Sequence, residues 1–464
     1  MRELESGNPP GKYGHGIPQL EIEKLLSAPY KRGKKSGVFP RPMGFKNVGF
    51  VRGVIQAIRD DLKQDLLSVR KDGQKTINHA FRLIICNLVA CVFERRTLAL
   101  AGANSAYNAG TPLNKMFLTK RAVDKVTSAL IRHGYLSLRR GNQLLGTTNT
   151  YKPTRKLEEA LVPLIYEVFE EYTEHTELII FKGKEDKDSK NNKKRDKQLI
   201  NKDLKTFGAE GKHIKGRRSL DLSLPPDHYD LVALRRINEA LKDCSYALQS
   251  PVVRIFSDED PMRGGRLYTR LQTLPDKRAR IRINTLFNGE QVAEVDLSAN
   301  HPRMLMALKG KELPADFYQE VAASTGTTRD QVKFLLMKAI GARNRAISLK
   351  PEVDQKDWFK EDFIVLPEQR QAIDSYLEQS HPDLFASLYR GMGVFLQGLE
   401  GDILLKTMIR LLDQGIPSLP IHDAVYVQAK FANQAQRAIC EAWSDCLGVD
   451  FKPITKIDLP TNGA

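Results

Sequence analysis

Two short stretches of strand-forming sequence, each carrying one aspartate, constrain this chain more than any other feature. Val292-Ala-Glu-Val-Asp-Leu-Ser298 places Asp296 at the end of a β-branched run. Ile416-Pro-Ser-Leu-Pro-Ile-His-Asp-Ala-Val-Tyr-Val427 places Asp423 at a His-Asp turn between two apolar runs, the pattern of a hairpin. A carboxylate in such surroundings is costly to bury unless it is paired or binds a metal. The two aspartates are 127 positions apart, and adjacent strands would bring them together. Paired carboxylates supply the hard oxygen ligands that Mg²⁺ prefers. Two ions so held can activate a hydroxyl and stabilise a leaving pyrophosphate. A single aspartate of this kind is otherwise a turn or hydrogen-bonding device.

Between them, Thr328-Arg-Asp-Gln-Val-Lys-Phe-Leu-Leu-Met-Lys-Ala-Ile-Gly341 reads as a helix. Arg329, Lys333 and Met337 fall four apart on one face. Cations aligned on a helix suit a triphosphate. An amphipathic helix with a solvated basic edge is the plainer alternative.

The chain has 464 residues, enough for two or three domains. Its apolar and charged fractions, 41% and 28%, are those of globular proteins and exclude wholesale disorder. The formal charge of +16 points to a polyanion, nucleic acid or an anionic surface, with a merely solvated basic surface as the alternative. The longest apolar run, Leu83 to Val92, is about half of the ~20 residues that span a bilayer. The N-terminus has no apolar core of a signal peptide. The five cysteines show no CxxC pairing and read as reduced thiols, so a cytoplasmic location is expected.

Residues 1–50 are rich in Pro, Gly and Lys and read as an extended, poorly ordered basic arm. Val51 to Arg96 is helical in pattern. A basic helix follows with Thr119 as N-cap, carrying Lys120, Arg121, Lys125 and Arg132 and stopping at Gly134. Strand candidates at Tyr135–Leu138 and Thr147–Tyr151 flank a turn at Gly141-Asn142. Helix then basic hairpin is the layout of a winged helix-turn-helix, with Lys120, Arg121 and Lys125 as DNA contacts, or of an ordinary helix–hairpin packing unit. The expected division is a winged-helix-like DNA-binding domain over 51–155 and a helical connector over 156–240. Helices at Leu157–Tyr172 and Tyr229–Leu248 would serve that connector as a possible thumb. Phe181–Arg218 holds 14 basic and 6 acidic residues, and its stretch KGKEDKDSKNNKKRDK has almost no apolar ones. It reads as a flexible loop touching phosphates nonspecifically, or as a solubilising linker. From about Ser219 the composition is globular to the end.

Five segments taken together resemble the family A polymerases, the class of bacterial DNA polymerase I and of the phage-type single-subunit RNA polymerases. Asp296-Leu-Ser-Ala-Asn-His-Pro-Arg303 is similar to motif A, D-Y-S-Q-I-E-L-R, with Asp296, Ser298 and Arg303 at matching positions. Arg329-x-x-x-Lys333 is similar to motif B, and His422-Asp423 to the H-D of motif C. Leu271-Gln-Thr-Leu-Pro275 resembles L-Q-N-I-P, and Leu396-Gln-Gly-Leu-Glu-Gly-Asp-Ile-Leu-Leu-Lys406 resembles Q-G-T-A-A-D-I-I-K with one extra residue before the Lys. The likeness covers roughly residues 225–464. It implies an α+β fold: a right-hand palm of antiparallel sheet with helices plus compact helical fingers over 241–464, preceded by the mostly α winged-helix-like domain.

The resemblance also implies roles. Asp296 and Asp423 would bind two Mg²⁺ ions, joined by the carbonyl of Leu297. Arg329 and Lys333 would hold the incoming nucleoside triphosphate, and Lys333 would protonate the pyrophosphate. His301, Met337 and Gly341 would line the nucleotide site. His422, Gln397, Gln272, Arg278, Arg280 and Arg282 would contact a DNA primer–template, and Arg303 would support motif A.

Three departures blur sugar choice. His301 replaces the family's motif A glutamate, which blocks a ribose 2′-hydroxyl in the DNA enzymes. Gly341 replaces the fingers tyrosine, and Met337 is the residue of the RNA enzymes. DNA-directed DNA synthesis is the favoured reading, without proofreading because no acidic cluster marks the N-terminal half. An RNA polymerase or primase on the same palm is the second reading. A replication initiator or regulator with an inactive palm is the third. A phage or other mobile element fits such a compact chain by association.

Overall fold

The computed structural model describes residues 19–30, 37–45, 48–141, 148–173, 176–182, 219–220, 224–257, 263–275, 280–345 and 365–460. The basic run 183–218 and Arg278 lie outside them.

The N-terminal half opens with α1 (Gln19–Ser27), β1 (Gly37–Val38), β2 (Met43–Phe45), α2 (Val48–Asp61) and α3 (Lys63–Leu66). The long α4 (Lys71–Glu94), β3 (Thr97–Leu100), α5 (Pro112–Lys115) and α6 (Lys120–Arg132) follow, then β4 (Leu136–Arg139), β5 (Asn149–Pro153) and α7 (Arg155–Leu161). The described residues within 1–50 are therefore not simply an extended arm. Ile22, Leu25, Met43 and Phe45 are buried and anchor α1 and β2 to the core. From Ile77 to Glu94, α4 is almost wholly buried. By length and composition α4 could cross a bilayer, but 78% of its apolar window is buried inside the fold. As expected, Thr119 caps α6, its side chain accepting from the Ala122 amide. Strands β1-β3-β5-β4 form one sheet in that order, with β3, β5 and β4 antiparallel.

The helix expected over Leu157–Tyr172 is cut short at Leu161. Pro163 follows at once, and β6 (Val168–Glu170) pairs antiparallel with β2 instead. The connector is thus part strand, continuing as β7 (Ile179–Lys182) and β8 (Ser219–Leu220). The thumb reading loses its first helix for this reason. The second, α8 (Tyr229–Lys242), ends six residues before Leu248.

In the C-terminal half, β9 (Val253–Phe256) and β10 (Gly264–Tyr268) join β7 and β8 in a sheet of order β10-β9-β7-β8. Next come β11 (Val292–Leu297), α9 (Asn300–Ala307), α10 (Phe317–Thr325), α11 (Arg329–Gly341), α12 (Pro367–Ser380) and α13 (Pro382–Phe385). The chain closes with α14 (Gly393–Leu412), β12 (Leu419–Ile421), β13 (Ala424–Gln428), α15 (Ala432–Leu447) and β14 (Thr455–Asp458). An antiparallel sheet of order β12-β13-β11-β14 carries both aspartate-bearing segments. Helices α14 and α15 pack on one another and against β13. The whole is a mixed α+β architecture.

Helix α14 lies almost in contact with β10. A Cβ placed on Gly401 would stand 2.0 Å from the Gly265 carbonyl oxygen. Arg254, buried on β9, fastens the same junction. Its guanidinium donates to Gly265 O, Gly398 O, Asp230 and Asp402.

Candidate active site

Period-2 alternation sets the site. Along β11, Ala293, Val295 and Leu297 are buried, whereas Glu294 and Asp296 lie on the half-open face. Asp296 stands opposite Ala424 of β13 and Lys456 of β14. Asp423 immediately precedes Ala424, in the turn that joins β12 to β13. His422 takes a left-handed backbone, φ 56°, which makes that turn tight. Two carboxylates far apart in sequence therefore come together at the ends of the two inner strands of one sheet.

Their electrostatics report the proximity. Burial, then the Asp423 charge, then Glu294 push the Asp296 carboxyl up to about 7, against the pull of Lys333. Asp423 is also raised, by burial and by Glu400. The pair is an under-compensated negative centre. Among the described residues no group of three or more His, Cys, Asp or Glu side chains forms a metal cage. A two-carboxylate site fits Mg²⁺, which is commonly held by one or two carboxylates and completed by substrate phosphates and water. Leu297, the third residue expected to serve a metal, ends β11 with its side chain buried.

Helix α11 presents Arg329, Lys333, Met337 and Gly341 along one exposed stripe. A reciprocal capping box between Thr328 and Gln331 fixes its start. Arg329 Nε lies 3.2 Å from Asp316 Oδ1, and its guanidinium covers the Tyr318 ring at 5.5 Å. Lys333 makes no ion pair among the described residues. A Cβ on Gly341 would meet nothing within 4 Å, so the space immediately at this position is open.

Arg303 is buried and donates to the carbonyls of Ser298, Leu313, Pro314 and Ala315. It staples the loop after α9 to the end of β11, a supporting role. Gln397 is half-buried on α14, and His422 is exposed.

Three residues expected at the primer–template have settings within the fold. Arg280 pairs with both oxygens of Asp458, at 2.6 and 3.1 Å. Arg282 is buried and grips Glu294 at 3.0 and 3.1 Å. Both arginines tie the loop before β11 to the sheet, and for Arg282 burial of the guanidinium demands its carboxylate partner. Gln272 opens into a separate cleft of about 500 Å³ between the two halves, with Arg41, Glu94, Glu170 and Arg270. On α6, Lys120 pairs with Asp124 and Lys125 donates to the Leu67 carbonyl, leaving Arg121 exposed.

The sequence reading missed Glu400. Its side chain is 1% exposed in the middle of α14. Arg266 Nε donates to Oε2 at 2.6 Å, His301 Nε2 lies 2.8 Å from Oε1, and Asn300 Nδ2 donates at 3.3 Å. Asn300 in turn accepts from Trp443 Nε1 at 3.1 Å. One carboxylate thus holds α9, α14 and β10 together beside Asp423, while the Trp443 bond adds α15. Its sequence signal is an acid between Gly398 and Gly401 in a helix rich in apolar residues.

No family model matches the chain, and no curated protein matches it. Among solved structures it is similar to the POL domain of Pol1 from M. smegmatis in complex with DNA primer-template and dNTP, at 13% identity with a TM-score of 0.29. That match covers 90% of this chain and 66% of the other. An overlap so low does not establish a common architecture.

Proposed function

We propose that this chain is a template-directed nucleotidyltransferase, a DNA-directed DNA polymerase of the family A kind. The observation that carries the reading is the placement of Asp296, at the end of β11, beside Asp423, in the turn that leads into the neighbouring antiparallel strand β13, with the Lys333 charge acting on the Asp296 carboxyl. Asp296 and Asp423, with the Leu297 carbonyl, would hold two Mg²⁺ ions. When bound, such ions activate the 3′-hydroxyl and neutralise the leaving pyrophosphate. The protein's own part is positioning. The α11 stripe offers Lys333 as an unpaired cation for the triphosphate, with Arg329 one turn before it. His422 stands exposed at the turn beside Asp423, on the side where a primer end would lie. Base pairing to the template supplies sequence choice, and the chain works without proofreading.

A second reading, RNA synthesis on the same palm, is favoured by the open space at Gly341 and by His301 in place of a carboxylate. One assay tests both: extension of primed and unprimed DNA templates with Mg²⁺ and either dNTPs or NTPs. Incorporation is expected with dNTPs on primed DNA. Asp296→Asn and Asp423→Asn should each reduce it by at least about a hundredfold, as loss of a group that stabilises transition-state charge does. Full activity in both variants would end the proposal. Unprimed product from NTPs would move it to the second reading.

A further inference from the structure

Helix, strand, helix, helix, strand, strand is the succession from α4 through β3, α5 and α6 to β4 and β5, with sheet order β3-β5-β4. In that arrangement α6 is the second helix of a helix-turn-helix, and β4 and β5 are its wing. Three sides of α6 are committed. Ala122, Val123, Val126, Ala129 and Leu130 are buried, and α6 packs on α3 and α4. Lys125 is bonded to Leu67 O, and Arg132 to Asp65. The remaining face carries Arg121, Asp124 and Ser128, spaced at three and four residues and all exposed. Asp124 is neutralised by Lys120. Arg139 and Arg140, at the end of β4, are exposed and make no ion pair among the described residues. Between Lys115 and Arg140 the chain has seven basic residues and one acidic.

We infer that this face is a docking surface for duplex DNA. Arg121 and Ser128 on α6 would enter the major groove, and Arg139 and Arg140 would rest on flanking phosphates. A helix of 13 residues is roughly 20 Å long. The major groove, about 12 Å wide, admits it. Free arginines make both bidentate base contacts and phosphate contacts. The surface belongs to the N-terminal half and is separate from the Asp296–Asp423 site.

The test is fluorescence anisotropy of the full chain on a blunt 20-base-pair duplex in EDTA, without nucleotide. Because neither metal nor triphosphate is present, its outcome is independent of the extension assay. Arg121→Ala should weaken binding about tenfold, the scale of one lost base-contacting arginine. Arg139→Ala with Arg140→Ala should lower the slope of log affinity against log salt by about two. Methylation of guanine N7, which fills the major groove edge, should weaken the wild-type chain. All three arginines are exposed, and an unchanged thermal melt confirms that each variant is folded. Wild-type affinity and salt slope in the triple variant, or indifference to N7 methylation, would overturn the inference.

Discussion

Glu400 shows how much one side chain can organise. Its carboxylate is almost fully buried yet serves Arg266, His301 and Asn300 at once. Removing one partner of a buried charged cluster leaves the others uncompensated, at a cost of about 3–5 kcal/mol. Glu400→Ala should therefore lower unfolding free energy by that amount in a denaturant titration. Glu400→Gln, which keeps the shape and some hydrogen bonds, should lose less. Equal stability of all three proteins would remove Glu400 from its organising role. The same physics explains Arg280 and Arg282. They read as phosphate contacts from an Arg-rich run, but folding supplies Asp458 and Glu294 as partners. Sequence spacing could not reveal those partners, which lie 178 and 12 residues away.

Among the elements, the approach of α14 to β10 decides where the site sits. Gly401 leaves no room for a methyl group, because the Gly265 carbonyl already occupies the space. Gly401→Ala must push the helix off the strand, with an overpacking cost of about 1–3 kcal/mol. It should also shift Glu400 and Arg266 relative to Asp423. Thermal melts read the first effect and the extension assay the second. A variant as stable and active as wild type would show that the helix relaxes freely. The strands around the aspartates and the start of α6 were legible locally, since β-branched alternation and a Thr cap are local signals. The 157–172 segment was not. Its apolar spacing suits a helix, but the helix ends at Leu161, before Pro163, and only Val168–Glu170 pairs as a strand, on the edge of β2.

On the scale of the whole molecule, a buried ion pair joins the two halves. Arg270, beside the 271–275 motif, donates to Glu94 at the end of α4 at 3.0 Å, and both side chains are buried. Strand β2 pairs with β6 close by, and Arg41 and Arg270 both reach Glu170. Glu94→Ala would leave the buried Arg270 charge with Glu170 as its remaining carboxylate, at 3.6 Å. Calorimetry should show a destabilised chain whose melt separates into two transitions, because the halves would no longer be coupled through that pair. A single, unshifted transition would show that coupling lies elsewhere. The basic excess also divides at this scale. Part belongs to the open face of α6 and its wing, and part to the run over 181–218.

By itself the sequence determined the local chemistry: two aspartates in strand-forming runs, a four-residue stripe on α11 and a capped basic helix. These follow from periodicity and capping, which act over a few residues. The tertiary structure alone decided which charges meet. It brought Asp296 beside Asp423, placed Glu400 under His301, and paired Arg280 and Arg282 with carboxylates. Burial is the physical reason. A charge excluded from water is stable only beside its partner, and that partner is set by how the strands and helices stack, not by distance along the chain.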